Sequence, residues 1–302
     1  MPPVLSTEGL SKRYGRIQAV EDVALELHEG DIYGFLGLNG AGKTTTMRMI
    51  LRLVRPDRGR VEIFGRDVRA HFVSIMRHVG CLIELPAFYP HLSAARNLRL
   101  LRMLDDNIPD RKVDEVLAAV GLSERRHSPV RTYSQGMRQR LGIAMSLLSA
   151  PRLVLLDEPT NGLDPQGIHE MRALILSLNR ERGTTFLISS HLLHEVEGMC
   201  NRVGIIRGGR MVVQDRLEAL LARTLQGVRI EAVPRERAVE FLRALPFVQD
   251  AIDDGGAIRV NCDPHDFPRL HRELVAGGLD VGAFVPIRLT LEEFFLNRER
   301  GG

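Results

Sequence analysis

Residues 37–44 read GLNGAGKT and match the pattern G-x-x-x-x-G-K-[ST] at every fixed position. This stretch follows a short apolar run at residues 32–36, IYGFL, and precedes an amphipathic stretch that starts near Lys43. A buried strand, a glycine-rich turn and a helix in this order are typical of α/β proteins with a parallel sheet. The segment therefore predicts a parallel α/β core.

The glycines of this loop allow the backbone to wrap tightly, so that successive N–H groups point at phosphate oxygens. The helix that follows adds the partial positive charge of its N-terminus. We expect Lys43 to reach the β- and γ-phosphates of a nucleoside triphosphate and the Thr44 hydroxyl to ligate magnesium. The residues predicted to contact the nucleotide here are Gly37, Leu38, Asn39, Gly40, Ala41, Gly42, Lys43, Thr44 and Thr45.

A second apolar run, LVLLDE at residues 153–158, ends in two adjacent acidic residues. Two neighbouring carboxylates at the end of a buried strand are unfavourable without a nearby cation. We expect Asp157 to hold magnesium, directly or through water. Glu158 is placed to act as the general base on an attacking water.

The composition is that of a globular protein, with 44% hydrophobic and 26% charged residues among 302. The net charge is only +3, and no basic stripe interleaved with aromatics is present in the sequence, so a nucleic-acid partner is not expected. The three cysteines are far apart and odd in number, which predicts neither a disulfide framework nor a zinc site but a cytoplasmic setting. No stretch predicts a signal peptide or a membrane span.

Two domains are predicted from the change of pattern along the chain. Residues 1–215 read as strands and helices of an α/β domain, with a helical insertion at about 85–150. Residues 216–302 read as a small α+β accessory domain without a recognisable chemical motif.

Three further motifs lie around the acidic strand end. They read YSQGMRQR at residues 133–140, PTNGLDP at 159–165 and SSH at 189–191. With the phosphate loop and residues 153–158, this order closely resembles the ATP-binding cassette (ABC) family of transporter ATPases over residues 5 to about 215. The resemblance implies a P-loop NTPase core with an N-terminal antiparallel β subdomain, and ATP and Mg²⁺ as its ligands.

In this family two cassettes face each other and sandwich two ATP molecules. The resemblance implies that Ser134 and Gly136 contact the γ-phosphate bound by the opposite cassette, as a helix N-terminus suits an anion. His191 corresponds to the switch histidine that contacts the γ-phosphate and positions the water. Asp164 lies in the loop that communicates across the dimer, and Tyr14 corresponds to the aromatic residue that stacks on adenine.

The signature segment departs from the family pattern LSGGQ at three positions. Tyr133 replaces leucine, Gln135 replaces the first glycine and Met137 replaces glutamine. The serine and the second glycine, which the phosphate contact needs most, are retained, so the function is expected to be retained as well.

Glu84 is a lone carboxylate in VGCLIELPAFYP, residues 79–90, and its apolar surroundings predict a buried charge that needs a partner. The family normally has glutamine here, as a magnesium ligand in a loop that senses the membrane subunit. Glutamate keeps an oxygen donor for a hard cation, so the resemblance implies that Glu84 contacts Mg²⁺ when ATP is bound. Phe88, Tyr89 and Pro90 are expected where a permease docks, or else are core and turn residues.

The resemblance implies an ATPase that drives a separate ABC-2 type membrane permease from the inner face of the cell membrane. LIELPAFYP is similar to bacitracin-type exporters and lantibiotic-immunity cassettes, and LTLEEFFL near the C-terminus to the tail of ABC-2 cassettes. The expected cargo is therefore an antibiotic, a peptide or a drug, and the expected second cassette is another copy of the chain. The alternatives are a non-transport cassette acting on ribosomes or DNA, and a regulatory ATP-binding module without turnover.

Overall fold

A computed structural model describes residues 2–84, 86–223 and 225–288 of the chain. The chain divides into two compact units, Met1–Leu217 and Glu218–Gly302, against a predicted division between residues 215 and 216. The LTLEEFFL stretch, at residues 289–296, lies outside the described residues.

The first unit is built from two sheets and a set of helices. Its strands, in chain order, are β1 (Leu5–Tyr14), β2 (Ile17–Leu27), β3 (Ile32–Leu36), β4 (Arg58–Ile63), β5 (Arg66–Asp67), β6 (Val79–Leu82), β7 (Leu153–Asp157), β8 (Thr185–Ser190), β9 (Arg202–Arg207) and β10 (Arg210–Arg216). Its helices are α1 (Lys43–Ile50), α2 (Val68–Met76), α3 (Ala94–Arg102), α4 (Arg111–Ala119), α5 (Gln135–Ser146), α6 (Pro165–Arg182) and α7 (Leu193–Glu197).

The N-terminal sheet is antiparallel and has the order β2-β1-β4-β5. The second sheet has the order β10-β9-β3-β8-β7-β6, in which every neighbouring pair is parallel except β9 with β10. The runs IYGFL and LVLLD are buried along their whole length as β3 and β7. Continuous burial is expected for central strands of a sheet that is covered on both faces.

The segment between β6 and β7 is helical and contains α3, α4 and α5. Ser93 begins α3 and Ser134 begins α5, and each hydroxyl accepts a hydrogen bond from a backbone N–H of the first turn. Asp164 does the same for α6, with Pro165 at the first helical position, and α6 ends at Gly183 in the left-handed conformation. The side chains of residues 134 and 164 thus mark helix starts.

The second unit begins within α8 (Leu217–Arg223) and continues as β11 (Leu225–Val233), α9 (Arg235–Ala244), β12 (Val248–Asp253), β13 (Ile258–Cys262), α10 (Phe267–Ala276) and β14 (Asp280–Arg288). Its antiparallel sheet has the order β12-β13-β11-β14, which is the ferredoxin-like β-α-β-β-α-β arrangement. The core of this unit joins sheet residues such as Val228 and Ile258 to Leu242 and Leu270 of the two helices.

This architecture confirms the predicted fold class: a P-loop α/β core, an N-terminal antiparallel sheet, a helical insertion and a small α+β addition. Across residues 2–84, 86–223 and 225–288, every helix is too short or too polar to cross a bilayer.

Candidate functional site

The site lies where three parallel strands end side by side. In the register of the sheet, Leu36 of β3 pairs with Ser190 of β8, and Ser189 of β8 pairs with Asp157 of β7. The chain leaves each of these strands at the same edge, which in α/β proteins is the edge where ligands bind. The phosphate loop, the acidic pair and His191 therefore follow directly from three neighbouring strand ends.

The phosphate loop turns from β3 into α1 without room for extra side chains. Gly42 has φ 109°, and a Cβ there would lie 2.5 Å from the carbonyl oxygen of Ala19. A Cβ on Gly37 would collide with the carbonyl oxygen of Ile206. Leu38, Asn39 and Gly40 are exposed at the crest of the loop, Ala41 is buried beneath it, and Thr45 is half-buried at the start of α1. The loop thus offers open backbone at its crest.

Lys43 is buried, with 4% of its surface exposed. Its ammonium donates hydrogen bonds to the carbonyls of Gly37 (2.6 Å) and Leu38 (3.3 Å), and it lies 3.2 Å from Oε1 of Glu158. A buried ammonium is costly unless it is paired and hydrogen-bonded, and here it is both. The same contacts hold the charge beneath the loop, where an anion bound to the loop would meet it.

Thr44 and Asp157 meet directly, because Thr44 Oγ1 donates to Asp157 Oδ2 at 2.8 Å. Ser189 Oγ donates to the other carboxylate oxygen of Asp157. A hydroxyl and a carboxylate are hard oxygen donors of the kind that bind Mg²⁺, which usually takes its remaining ligands from phosphate and water. Thr44 and Asp157 therefore fit a nucleotide-bound Mg²⁺. Within the described part of the chain no group of three or more His, Cys, Asp or Glu residues is arranged for a metal.

Glu158 links the lysine to the histidine. While Oε1 faces Lys43, Oε2 lies 3.0 Å from Nδ1 of His191. The backbone of Glu158 is left-handed, with φ 48°, and its N–H donates to Ser189 Oγ at 2.9 Å. Left-handed backbone is uncommon outside glycine and costs free energy, so the hydrogen bond to Ser189 helps to hold the turn. The three predicted catalytic residues, Lys43, Glu158 and His191, are therefore in one connected group.

Tyr14 stands at the end of the β1–β2 hairpin, where it pairs with Ile17. Its side chain is 44% exposed, and the ammonium of Lys12 lies 5.5 Å from the ring centroid. Two residues after Ile17, the same hairpin reaches the phosphate loop, where the carbonyl oxygen of Ala19 lies close to Gly42. The exposed ring is thus available for stacking on a base.

Ser134, Gly136 and Asp164 form a second group. Gln135 Nε2 donates to the carbonyl of Asn161 at 3.2 Å, which ties the start of α5 to the loop that precedes α6. The hydroxyl of Ser134 and the carboxylate of Asp164 cap helices, accepting from the N–H groups of residues 137 and 167. The hydrogen bonds of this group run to the 161–164 loop and to its own helices rather than to the phosphate loop.

Tyr133, which precedes this group, is 3% exposed, and its hydroxyl donates to the carbonyl of Arg125 at 2.7 Å. Burial raises the pKa of the Tyr133 phenol. The phenol therefore stays neutral and remains a hydrogen-bond donor, which explains how tyrosine is accommodated where the family has leucine.

Glu84 lies in an unexpected environment. The expectation of a buried charge is wrong, because its side chain is 64% exposed and its carboxylate contacts the guanidinium of Arg48 on α1. Its φ of 64° turns the chain sharply after β6. The carboxylate is engaged by Arg48 rather than by Thr44 and Asp157, so its contact with magnesium stays a prediction that requires it to leave the arginine.

The segment after Glu84 is held by hydrogen bonds to Asn97, a residue of helix α3 in the helical insertion. Asn97 is buried, accepts from the N–H of Tyr89 at 2.8 Å and donates to the carbonyl of Tyr89 at 3.1 Å. The ring of Tyr89 is 58% exposed, Pro90 is exposed and Phe88 is half-buried. This segment therefore presents an aromatic side chain on a fixed backbone.

Sequence reasoning assigned no role to Ser189, Thr160 or Glu195. Ser189 contacts both acidic residues of the site, and Glu195 accepts hydrogen bonds from Thr160 and Ser190. Ser189 and Ser190 directly precede His191, and this adjacency was the available signal. The contacts themselves depend on the pairing of β7 with β8, which the sequence does not display.

The family model described as ABC transporter matches residues 20–161. The chain is 39% identical over 303 residues to the bacitracin transport ATP-binding protein BcrA of Bacillus licheniformis, covering 100% of this chain and 99% of the relative. It is 38% identical over 211 residues to the lantibiotic transport ATP-binding protein SrtF of Streptococcus pyogenes, covering 70% and 90% of the two chains.

A solved ATP-binding subunit of an ABC transporter shares 30% identity with this chain at a TM-score of 0.63, covering 73% of this chain and 92% of that subunit. The chain belongs to the ATP-binding proteins of ABC transporters, a family that hydrolyses ATP. The resemblance to the bacitracin and lantibiotic subfamily is confirmed.

Proposed function

We propose that this chain is the ATP-hydrolysing subunit of an exporter, which dimerises on MgATP and drives a separate ABC-2 type permease. The observation that carries the proposal is the connected group at the strand ends, in which Glu158 contacts both Lys43 and His191 beside the Thr44–Asp157 pair. An intact base and switch histidine argue against a regulatory module without turnover.

The geometry suggests a division of labour within the group. Lys43 and the backbone N–H groups of the loop bind the triphosphate and stabilise the charge that develops during phosphoryl transfer. When bound, Mg²⁺ held by Thr44 and Asp157 neutralises phosphate charge. Glu158 accepts the proton of the attacking water, and His191 positions that water and contacts the γ-phosphate. Binding of the triphosphate draws Lys43 towards the phosphates, which releases Glu158 for this role.

Two cassettes are needed to complete the site. Ser134 caps α5, and its helix start with Gly136 offers N–H groups that suit an anion bound by the opposite cassette. Asp164 sits on the loop that a hydrogen bond from Gln135 links to the same helix start. Loss of the γ-phosphate removes these contacts, and hydrolysis then opens the dimer. Tyr14 stacks on the adenine ring.

The similarity to BcrA over the whole chain supports an antibiotic, a peptide or a drug as the exported cargo. The permease holds the chain at the cytoplasmic face of the membrane and docks near Tyr89 and Pro90. Glu84 would supply a further oxygen ligand to a nucleotide-bound Mg²⁺, which requires its carboxylate to leave Arg48. A ribosomal or DNA-directed function is not favoured, because BcrA and SrtF are transport ATP-binding proteins.

Phosphate release under saturating MgATP tests the catalytic part. We expect Glu158→Gln and His191→Ala to bind ATP but to lower kcat by about 10²–10⁴-fold, the usual contribution of general acid–base groups. Glu181→Gln, an exposed position on α6, is the matched control and should keep wild-type turnover. Wild-type turnover by Glu158→Gln would remove Glu158 from the role of base.

Growth inhibition tests the cargo. A strain that lacks the chain, complemented with the wild type or with Glu158→Gln, is challenged with bacitracin, with a lantibiotic and with daunorubicin. Protection by the wild type alone against one of these compounds supports export and selects the class. Equal protection by both proteins, or by neither against all three, contradicts export of these compounds.

A further inference from the structure

Glu195, on the short helix α7 behind His191, is a buried carboxylate with no role so far. Only 4% of its surface is exposed, and its Oε2 accepts from Thr160 Oγ1 at 2.7 Å and from Ser190 Oγ at 2.8 Å. Both of these partners are neutral hydroxyls. A buried carboxylate is costly, and two short charge-assisted hydrogen bonds are the means by which proteins stabilise one.

The two hydroxyls belong to the two segments that carry the proposed base and the switch histidine. Thr160 follows Glu158 by two residues, and Ser190 directly precedes His191. Because one oxygen atom of Glu195 accepts both hydrogen bonds, it ties these segments to a single point. We call this arrangement the Thr160–Glu195–Ser190 bridge.

The bridge also fixes the turn at His191. Ser190 Oγ accepts a hydrogen bond from the N–H of Leu192 at 2.9 Å and donates to Glu195, so the hydroxyl that precedes the histidine is held by two residues that follow it. Without Glu195, the Ser190 hydroxyl keeps its contacts to the N–H and the carbonyl of Leu192, at 2.9 and 3.2 Å, but loses its link to the Thr160 segment.

Packing does not replace the bridge on this side. A cavity of about 100 Å³ is lined by Glu158, His191, Thr160 and Glu195, together with residues 161–163 of the neighbouring loop. A space of this size has room for water, so the side chains of the proposed base and the histidine lack close-packed neighbours there. Hydrogen-bonded anchors therefore contribute to the geometry of both side chains on this side.

We propose that Glu195 is a positioning residue for ATP hydrolysis, which holds Glu158 and His191 in register through the Thr160–Glu195–Ser190 bridge. In this role it acts through Glu158 and His191 rather than on the nucleotide or the attacking water. The inference rests on the proposed function, since it assumes that Glu158 and His191 handle that water. Displacement of a reacting group by about 1 Å costs on the order of 10²-fold in rate, which sets the scale of the effect.

Steady-state hydrolysis and ATP affinity, measured on the full chain, test this role. We expect Glu195→Ala to lower kcat at least about tenfold, with KM for MgATP and the Kd for ATP within about twofold of wild type. Glu195→Gln keeps an oxygen acceptor and should restore most of the lost kcat. Glu197→Gln, exposed on the same helix, is the matched control and should leave every constant unchanged.

Thr160→Val removes one arm of the bridge at nearly constant volume and serves if Glu195→Ala does not fold. It should lower kcat and leave KM unchanged. The double variant Thr160→Val/Glu195→Gln should lower kcat by less than the product of the two single effects, as expected for residues of one network. Wild-type kcat in folded Glu195→Ala or in Thr160→Val overturns the inference. No turnover by the wild type itself overturns the proposed function first.

Discussion

The hydroxyl of Ser189 provides a sharp test of how the acidic pair is held. Ser189 is fully buried, donates to Asp157 Oδ1 and accepts the N–H of Glu158 at 2.9 Å. Ser189→Ala therefore removes two hydrogen bonds while leaving only a small void. Loss of a bond to a charged group costs about 1.5–3 kcal/mol, and an unsatisfied buried N–H costs about 1–3 kcal/mol.

We expect Ser189→Ala to lower the free energy of unfolding by about 3 kcal/mol, allowing for partial relief by water or backbone adjustment. Urea unfolding of the full chain measures this value. The chain has two units, so the unfolding transition of the first unit has to be identified. Leu155→Ala, in the buried strand β7, serves for this because it should lower the stability of that unit by about 2–5 kcal/mol.

Ser177→Ala is the matched control. Its hydroxyl donates to the Leu174 carbonyl of its own helix at 3.1 Å, so the change should stay within about 0.5 kcal/mol. The kcat of Ser189→Ala should fall as well, because the backbone turn at Glu158 loses its anchor. A destabilisation below about 1 kcal/mol together with unchanged kcat would refute this account of the strand ends.

Three further predictions use other parts of the chain. Gly42→Ala places a Cβ within 2.5 Å of the Ala19 carbonyl oxygen and should reduce ATP affinity at least about tenfold in an equilibrium binding assay. Unchanged affinity would contradict the claim that the loop has no room for a side chain at this position. Tyr133→Phe leaves the Arg125 carbonyl without its donor and should cost about 1 kcal/mol in urea unfolding, whereas an unchanged midpoint would deny that bond its role. For Cys262, burial and then the Asp266 and Asp263 carboxylates raise the pKa to about 11, so about one thiol in 1000 is ionised at pH 8. The rate of iodoacetamide labelling, mapped by mass spectrometry, should therefore rise about tenfold per pH unit towards pH 11. A labelling rate that levels off near pH 9 would contradict this.

The sequence predicted those features that depend on local pattern. The buried strands β3 and β7, the loop between residues 37 and 44 and the helix after it follow from apolar runs and glycine positions that act over a few residues. Because parallel strands end at a common edge, the acidic pair and the loop could also be expected to meet, as Thr44 and Asp157 do.

The sequence did not predict contacts that depend on strand register or on the direction of a single side chain. Ser189 reaches Asp157 because β8 pairs with β7 at that position, and no local pattern encodes this pairing. Glu84 was expected to be buried because its neighbours are apolar, but its left-handed backbone turns the carboxylate outward to Arg48.

In the second unit, only part of the sheet could be recognised. GVRIEAV and GAIRVNC show the alternation of half-buried strands; the first lies in β11, and the IRVNC part of the second forms β13. The strand β12 carries two acidic side chains in six residues, and β14 contains glycine and proline. Both residue patterns are unfavourable for strands, so these strands depend on pairing with β13 and β11 rather than on local preference.

Light scattering on Glu158→Gln, with and without MgATP, tests the central claim most directly. The account predicts a shift from a molar mass of 33.8 kDa to twice that value when MgATP is added, since two cassettes close on two nucleotides that this variant binds but hardly hydrolyses. A protein that binds ATP yet keeps the mass of one chain, or one that is already dimeric without nucleotide, would contradict the claim that ATP binding brings two copies of this chain together.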